Sequence, residues 1–485
     1  MKKIVLTIAL SSVSLINADL IHWNWKSIDS SQINGISIAD FFKNHAHNLA
    51  DSQEIPATTC GAHHAWLWGT ATAAHQVEGN CTNNQWYLYE GKMLNGAIVE
   101  PAGIACDHWN RYKEDIQLMK ELGVNAYRFS VEWSKIEPMP GVYDEAALDH
   151  YEDVCKELIA NGIKPVITLY HYTEPIWFYH MGSFEKRDNC KYFTNFCAKV
   201  FERLHPYVYL WLTFCSPETA AKGWLQATMP PAKKDMKLMV HVLYNICETH
   251  VDIYRKFKSM PGGEQSRIGI HKTVFQLDPW NRFNPLDHLG CAMADRLINK
   301  PVYEFFTTGE FNVYIPFKVN FQRTNTYLKN GGQAMDYVGL SYYCHNYMSN
   351  FKTFREPNPE IEIPCNHTQY TIYGEGLYRA IQELSERIAK PLNIPIYVTE
   401  NGIGTDNDDH RILQSQRYLY ALASAIADGH YVCGYIHWSL LDNYEWGVYK
   451  KRYGLYHVDR ENDLKRTLKK GALYYQSIVK DSKIY

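Results

Sequence analysis

Polar residues that could do chemistry stand at the ends of short apolar runs in this chain: Gln76, Arg128, His171, Ser216, Glu218, Ser341, Tyr343, Glu400, Trp438, Glu445 and Trp446. Carboxylates and aromatic rings dominate the set. Two carboxylates on opposite faces of a sugar can protonate a leaving group and attack the anomeric carbon, which is what glycosidic bond cleavage demands. Aromatic faces suit the C–H faces of sugar rings, although 36 Tyr and 13 Trp also serve a large aromatic core. No Gly-x-Ser-x-Gly elbow is present, so a serine-nucleophile hydrolase is not indicated. No paired Cys-x-x-Cys occurs, and His63-His64 and the His45/His47 pair lack further ligands at metal-site spacing. The sequence therefore predicts no metal and no other cofactor.

The runs that must position these residues are 66–73, 125–133, 164–172, 207–215, 267–273, 335–344, 394–401 and 432–442. Helical patterns separate them, among them 111–122, 145–160, 236–257, 377–389 and 413–427. Eight apolar runs, each followed by helix, predict parallel strands joined by crossovers. The closed solution is a single α/β domain, a (β/α)₈ TIM barrel, whose site lies at the C-terminal strand ends. An open doubly wound sheet is the alternative, but no Gly-x-Gly-x-x-Gly opens a helix after a strand. No internal repeat or low-complexity linker divides 59–485, so these residues read as one domain.

Several of the runs carry longer motifs. They are Trp66-Leu-Trp-Gly-Thr-Ala-Thr-Ala-Ala-His-Gln-Val-Glu-Gly79, Asp107-His-Trp-Asn-Arg-Tyr-Lys-Glu-Asp115, Tyr127-Arg-Phe-Ser130, Thr168-Leu-Tyr-His171, Val398-Thr-Glu-Asn-Gly402 and Trp438-Ser-Leu-Leu-Asp-Asn-Tyr-Glu-Trp446. In this order, over roughly residues 64–480, the chain resembles glycoside hydrolase family 1, the β-glucosidase family. The resemblance implies that Glu400 is the nucleophile, forming a glycosyl-enzyme intermediate. It implies that Arg128 keeps that carboxylate ionised and that Tyr343 hydrogen-bonds it. Gln76, His171, Glu445 and Trp446 would grip sugar hydroxyls, with Trp438 as the stacking floor. The implied partner is a β-linked glycoside or its sugar.

The fourth-strand motif departs from the family. Thr-x-Asn-Glu-Pro is replaced by Thr213-Phe-Cys215-Ser216-Pro217, so Ser216 stands at the acid/base glutamate and Cys215 at the asparagine that contacts the sugar 2-hydroxyl. Ser341 replaces the sixth-strand asparagine, Tyr172 stands where Trp is usual, and the loop from Trp446 to Arg452 is one residue short. Glu218 could substitute for the acid only through a remodelled loop. Two residues of strand span about 6.6 Å, whereas a proton donor must sit within about 3 Å of the glycosidic oxygen. Otherwise Glu218 reads as an exposed rim carboxylate. Two functional readings follow: a retaining β-glycosidase of altered competence, and a non-catalytic sugar-binding relative. A purely structural role would not require Glu400 together with Arg128 and Tyr343.

Lys2 and Lys3 precede an apolar stretch from Ile4 to Ile16, which predicts a cleaved export signal over 1–18, a mature start near Asp19 and a periplasmic or secreted protein. Residues 19–58 read as a polar leader with one amphipathic stretch, Ile36 to Leu49, and no assigned role. No later segment reads as membrane-spanning. Twelve cysteines in an exported chain make disulfides an expectation, with Cys60/Cys81 and Cys344/Cys365 the nearest pairs bracketing loops; Cys155, Cys197 and Cys247 fall in helical patterns and read as buried thiols. A formal net charge of −3 with 21% charged residues points away from nucleic acid and anionic membranes. The sequence does not give the oligomeric state.

Overall fold

Each of the eight apolar runs forms one parallel strand: β1 (Leu67–Ala71), β2 (Ala126–Ser130), β3 (Lys164–Tyr170), β4 (Leu210–Cys215), β5 (Ile268–Thr273), β6 (Tyr337–Ser341), β7 (Ile396–Asn401) and β8 (Val432–Trp438). Every residue of β1, β2, β4, β6, β7 and β8 is buried, as expected of strands covered on both faces. They pair in chain order and close where Gly434 of β8 meets Leu67 of β1. The computed structural model describes residues 66–481 apart from 95, 355–361 and 366–369, together with a short pairing of Gln32–Ile33 with Ile36–Ser37. The export signal, most of the leader, Cys60 and the His45/His47 and His63-His64 pairs lie outside the described residues.

Helices follow the strands around the outside: α1 (His108–Leu122), α2 (Glu145–Ala160), α3 (Cys190–Leu204), the short α4 (Pro217–Ala221), α5 (Met236–Lys258), α6 (Pro285–Ile298), α7 (Lys300–Thr308), α8 (Glu375–Leu384), α9 (Asp408–Ala427) and α10 (Lys470–Asp481). Local chemistry sets their starts. Asp144 accepts from Ala146 N and Ala147 N at the head of α2, and Asn407 accepts from Asp409 N at the head of α9. No helix among the described residues is long and apolar enough to cross a membrane.

Inside the barrel, Leu67, Ala126, Val166, Leu210, Leu212, Tyr337, Tyr397 and Cys433 pack into a fully buried floor. Gly269 makes room for it, because a Cβ there would stand 2.8 Å from the Tyr337 ring. Above the floor the strand ends lose their regular register. β4 slips against β5 between Leu212 and Cys215, and β6 slips against β7 between Leu340 and Ser341. Such bulges re-aim the side chains that follow them. The segments beyond β5 and β6 then form a small sheet of Leu277–Pro279, Asn346–Ser349 and Lys352–Phe354 beside the mouth.

The expected Cys344/Cys365 bridge does not form, and no bridge joins cysteines among the described residues; the Cys60/Cys81 expectation falls on Cys60, outside them. Cys81 donates to Gly79 O at 3.6 Å, Cys344 contacts Thr371 Oγ1 at 3.1 Å, and Cys365 donates to Ile363 O at 3.8 Å. Cys155, Cys197 and Cys247 are buried thiols, as their helical pattern predicts.

Candidate active site

Glu400 sits near the end of β7 with both oxygens engaged. Arg128, from β2, donates to Oε2 at 2.5 Å, and Tyr343, two residues past β6, donates to Oε1 at 2.6 Å. Arg128 is itself fixed by Thr168 Oγ1 at 3.0 Å and Thr399 O at 3.3 Å. Burial opposes the Arg128 charge, but Cys215 and Glu400 outweigh it and hold its pKa above the ordinary value. Burial, reinforced by the Glu400 charge, raises the Tyr343 hydroxyl well above its usual range, so it remains a donor. The Tyr343 ring lies 5.2 Å from that of Tyr370, stacked at 16°. This is a carboxylate held in one orientation by charge-assisted hydrogen bonds.

The β4 side is built differently. Ser216 follows the bulge with φ 47° and caps α4: its Oγ accepts from Thr219 N at 3.3 Å and donates to Glu218 Oε2 at 3.0 Å. Glu218 is not the exposed rim carboxylate expected, since it is 2% exposed. Its Oε1 lies 2.9 Å from Lys272 Nζ, which also donates to Asn299 Oδ1 at 3.0 Å. His271 points inward, its Nδ1 within 3.3 Å of Thr399 Oγ1. Its neighbour Lys272 therefore points outward by strand alternation, towards the Tyr303 ring of α7. Glu218 is drawn with it to the outer side of the wall, away from a position where it could serve as acid. Cys215 occupies the pocket side, its Sγ 3.8 Å from Glu400 Oε2 and 3.3 Å from the Tyr172 hydroxyl.

A third group lines the remaining wall. Gln76 Nε2 donates to Asn443 Oδ1 and to Glu445 Oε2, both at 3.0 Å. Burial pushes Glu445 up to about 7; Lys451 pulls against that rise and the Glu400 charge adds to it. The His171 ring lies 5.7 Å from Trp438 and 5.9 Å from Trp446, and Trp446 also meets Trp86 at 5.0 Å. Burial, then Arg128, lowers His171 well below its ordinary pKa, so it is neutral. Gln76 Oε1 and His171 Nδ1 find no hydrogen-bond partner among the described residues. Ser341 is buried at the bulge beside Glu400.

The fold thus gathers Gln76, Arg128, His171, Tyr343, Glu400, Trp438, Glu445 and Trp446, with Cys215, into one cluster; Ser216 and Ser341 are buried at the strand-end bulges, and Glu218 is turned towards Lys272. Asn443, which anchors Gln76, was not singled out in the sequence although it lies in the 438–446 motif. A ring nitrogen of His171, Cys215 Sγ and a Glu400 oxygen come within 4.8 Å of one another. Spacing along the chain could not reveal this group, because its members come from three strand ends.

Residues 62–484 match the family model described as glycosyl hydrolase family 1. The chain belongs to glycosyl hydrolase family 1. It is a glycoside hydrolase of the β-glucosidase-like kind, with the (β/α)₈ barrel of that family. Beta-glucosidase A of Acetivibrio thermocellus is 29% identical over 442 residues, covering 86% of this chain and 98% of that protein. A beta-glycosidase structure from Pyrococcus horikoshii superposes with a TM-score of 0.76 at 32% identity, covering 87% of this chain and 95% of the other. The family 1 beta-glucosidase of Thermotoga maritima in complex with castanospermine gives a TM-score of 0.76 at 26% identity, covering 87% and 98%.

Proposed function

We infer that the protein is a retaining β-glycosidase in which Glu400 is the nucleophile and the usual acid/base carboxylate is replaced by Ser216. The observation that carries this reading is Glu400 held by Arg128 at 2.5 Å and Tyr343 at 2.6 Å. Such a carboxylate is paired with a cation and aimed, and attack on an anomeric carbon would give a covalent glycosyl-enzyme. Gln76, His171, Glu445, Trp438 and Trp446 supply donors, acceptors and ring faces for the sugar. Ser216 supplies no acid: a hydroxyl does not protonate a leaving group near neutral pH, and that transfer is worth about 10²–10⁴-fold in rate. Cys215, at the position of the family's asparagine, weakens the 2-hydroxyl contact further. The preferred substrate is a glycoside whose aglycone leaves without protonation. Incubation with a 2-fluoro glycoside bearing a good leaving group should place one adduct on Glu400 by peptide mapping, and azide should accelerate turnover of activated aryl glycosides. Folded protein that forms no adduct after long incubation would overturn the nucleophile assignment.

The second reading, sugar binding without turnover, is favoured by one observation. The Ser216 hydroxyl is occupied by Glu218 and by the cap of α4. Saturable sugar binding with no hydrolysis of activated glycosides would select it. Export with cleavage before Asp19 completes the proposal, supported by Lys2, Lys3 and the apolar stretch after them. N-terminal sequencing of the extracytoplasmic protein tests it, and recovery of Met1 would refute cleavage.

A further inference from the structure

We propose that His171, Cys215 and Glu400 form a binding site for a soft divalent cation, zinc by ligand type, at the base of the sugar pocket. Thiolate, imidazole and carboxylate are the three donor types zinc takes from proteins, and three protein ligands with an open fourth position is a common zinc arrangement. The three donor atoms lie within 4.8 Å of one another, with Cys215 Sγ and Glu400 Oε2 already 3.8 Å apart. Ligand atoms around a tetrahedral zinc stand about 3.3–3.8 Å apart, so closure by about 1 Å completes the set. All three side chains are buried: His171 is 3% exposed, Cys215 0% and Glu400 8%. The ring of His171 retains a nitrogen with no partner among the described residues.

The surroundings suit a cation. Bound to the metal, Cys215 as a thiolate and the Glu400 carboxylate would together bring two negative charges to the cation. Arg128 opposes the metal, and Glu400 Oε2 accepts from both Arg128 Nη1 at 2.5 Å and the Cys215 thiol at 3.8 Å; loss of the thiol proton would free the second of these positions. Tyr172 supplies an outer partner. Its hydroxyl now accepts from Cys215 Sγ at 3.3 Å and would turn to donate to the thiolate. Binding breaks the Cys215 S–H bond and forms a sulfur–metal bond, and the proton leaves to solvent with no change of oxidation state. The bound cation takes the oxygen with which Glu400 would attack, so metal and sugar exclude one another.

The test uses the full chain, stripped with a chelator and titrated with cobalt(II) alone, then with zinc in competition. One equivalent of cobalt should bind with a near-ultraviolet thiolate-to-cobalt charge-transfer band, and zinc should bleach it. Cys215→Asn, a substitution to the family's own residue, should abolish the band. It should weaken zinc binding by more than the about 10–100-fold that loss of an outer partner costs; Glu400→Gln should also weaken it. Circular dichroism checks that each variant folds, and Cys215→Ser replaces Cys215→Asn if it does not. Absence of the band in the wild type, or a band and affinity that survive removal of the Cys215 thiol, overturns the proposal. The cobalt spectrum needs no turnover and the 2-fluoro trap needs no metal, so this proposal and the glycosidase reading fail separately.

Discussion

The two sides of the pocket handle a carboxylate in opposite ways. On the β2–β6–β7 side, Glu400 faces the cavity, and its partners Arg128 and Tyr343 reach it without covering it. On the β4–β5 side, Glu218 faces the helices and is sealed against Lys272 with 2% exposure. Both are buried and both are paired with a cation, yet only one can touch a substrate. Burial and ion pairing therefore do not distinguish a reactive carboxylate from a structural one. The direction of the strand residue that supplies its partner does, since Arg128 points into the barrel and Lys272 out of it.

The comparison is broken most severely by giving the β4 side an inward carboxylate. Ser216→Glu with Cys215→Asn should raise hydrolysis of unactivated β-glycosides by about 10²–10⁴-fold, the worth of general acid/base assistance. The negative charge of Glu400 would hold part of the new carboxyl protonated, as a general acid needs. A double variant that binds sugar but gains no rate would mean that the wall has moved too far for the missing carboxylate to be the main defect.

Next in size is the Lys272–Glu218 pair. Lys272→Met leaves a buried carboxylate unpaired and should cost about 3–5 kcal/mol in chemical denaturation, whereas Lys272→Met with Glu218→Met should recover most of that loss. Trapping on Glu400 should survive in the double variant. A loss of trapping there would show that the outer pair also shapes the pocket.

The smallest effect concerns the loop that carries Tyr370, the ring stacked on Tyr343. His345 bridges Asp278 at 2.6 Å and Glu362 at 2.7 Å, with Arg379 on Asp278 and the Tyr347 hydroxyl on Glu362. Burial works against the His345 charge, but these two carboxylates overcome it and raise its pKa. Its contribution to stability is then complete below the unfolded value of about 6.5, and is lost as pH rises through the raised folded value. Glu362 is lowered despite burial, chiefly by His345, so its own contribution is lost only on acidification below the usual carboxylate range. The Tm difference between wild type and His345→Gln should be large near pH 6 and shrink towards pH 9. A difference that grows with pH would reverse the sign and refute the clamp.

The strands and the Glu400 nest were legible in the sequence because continuous apolar runs specify buried parallel strands, and the motifs end on the polar residues that the pocket collects. What Glu218 does was not legible. Its neighbours Ser216 and Pro217 say where the chain turns, but its partner comes from β5, and the outward face of Lys272 depends on a register that slips at Cys215. The trio of His171, Cys215 and Glu400 was hidden for the same reason, each member lying some tens of residues or more from the next. The Cys344/Cys365 expectation failed because the buried thiol of Cys344 meets Thr371 and the half-buried thiol of Cys365 donates to Ile363 O, and not to each other.

The packed floor around Tyr337 and Tyr397 fills the barrel beneath the Glu400 cluster, so access comes from the strand-end face and not along the barrel axis. Traffic must then be sequential. On the glycosidase reading proposed above, an aglycone released by attack of Glu400 would have to clear the mouth before a second molecule could enter to relieve the intermediate. On the same reading, products would leave with the aglycone first and the sugar last. Any alcohol waiting at the mouth would compete with water for the bound glycosyl group, so the ratio of transfer to hydrolysis would be set by what stands in the doorway.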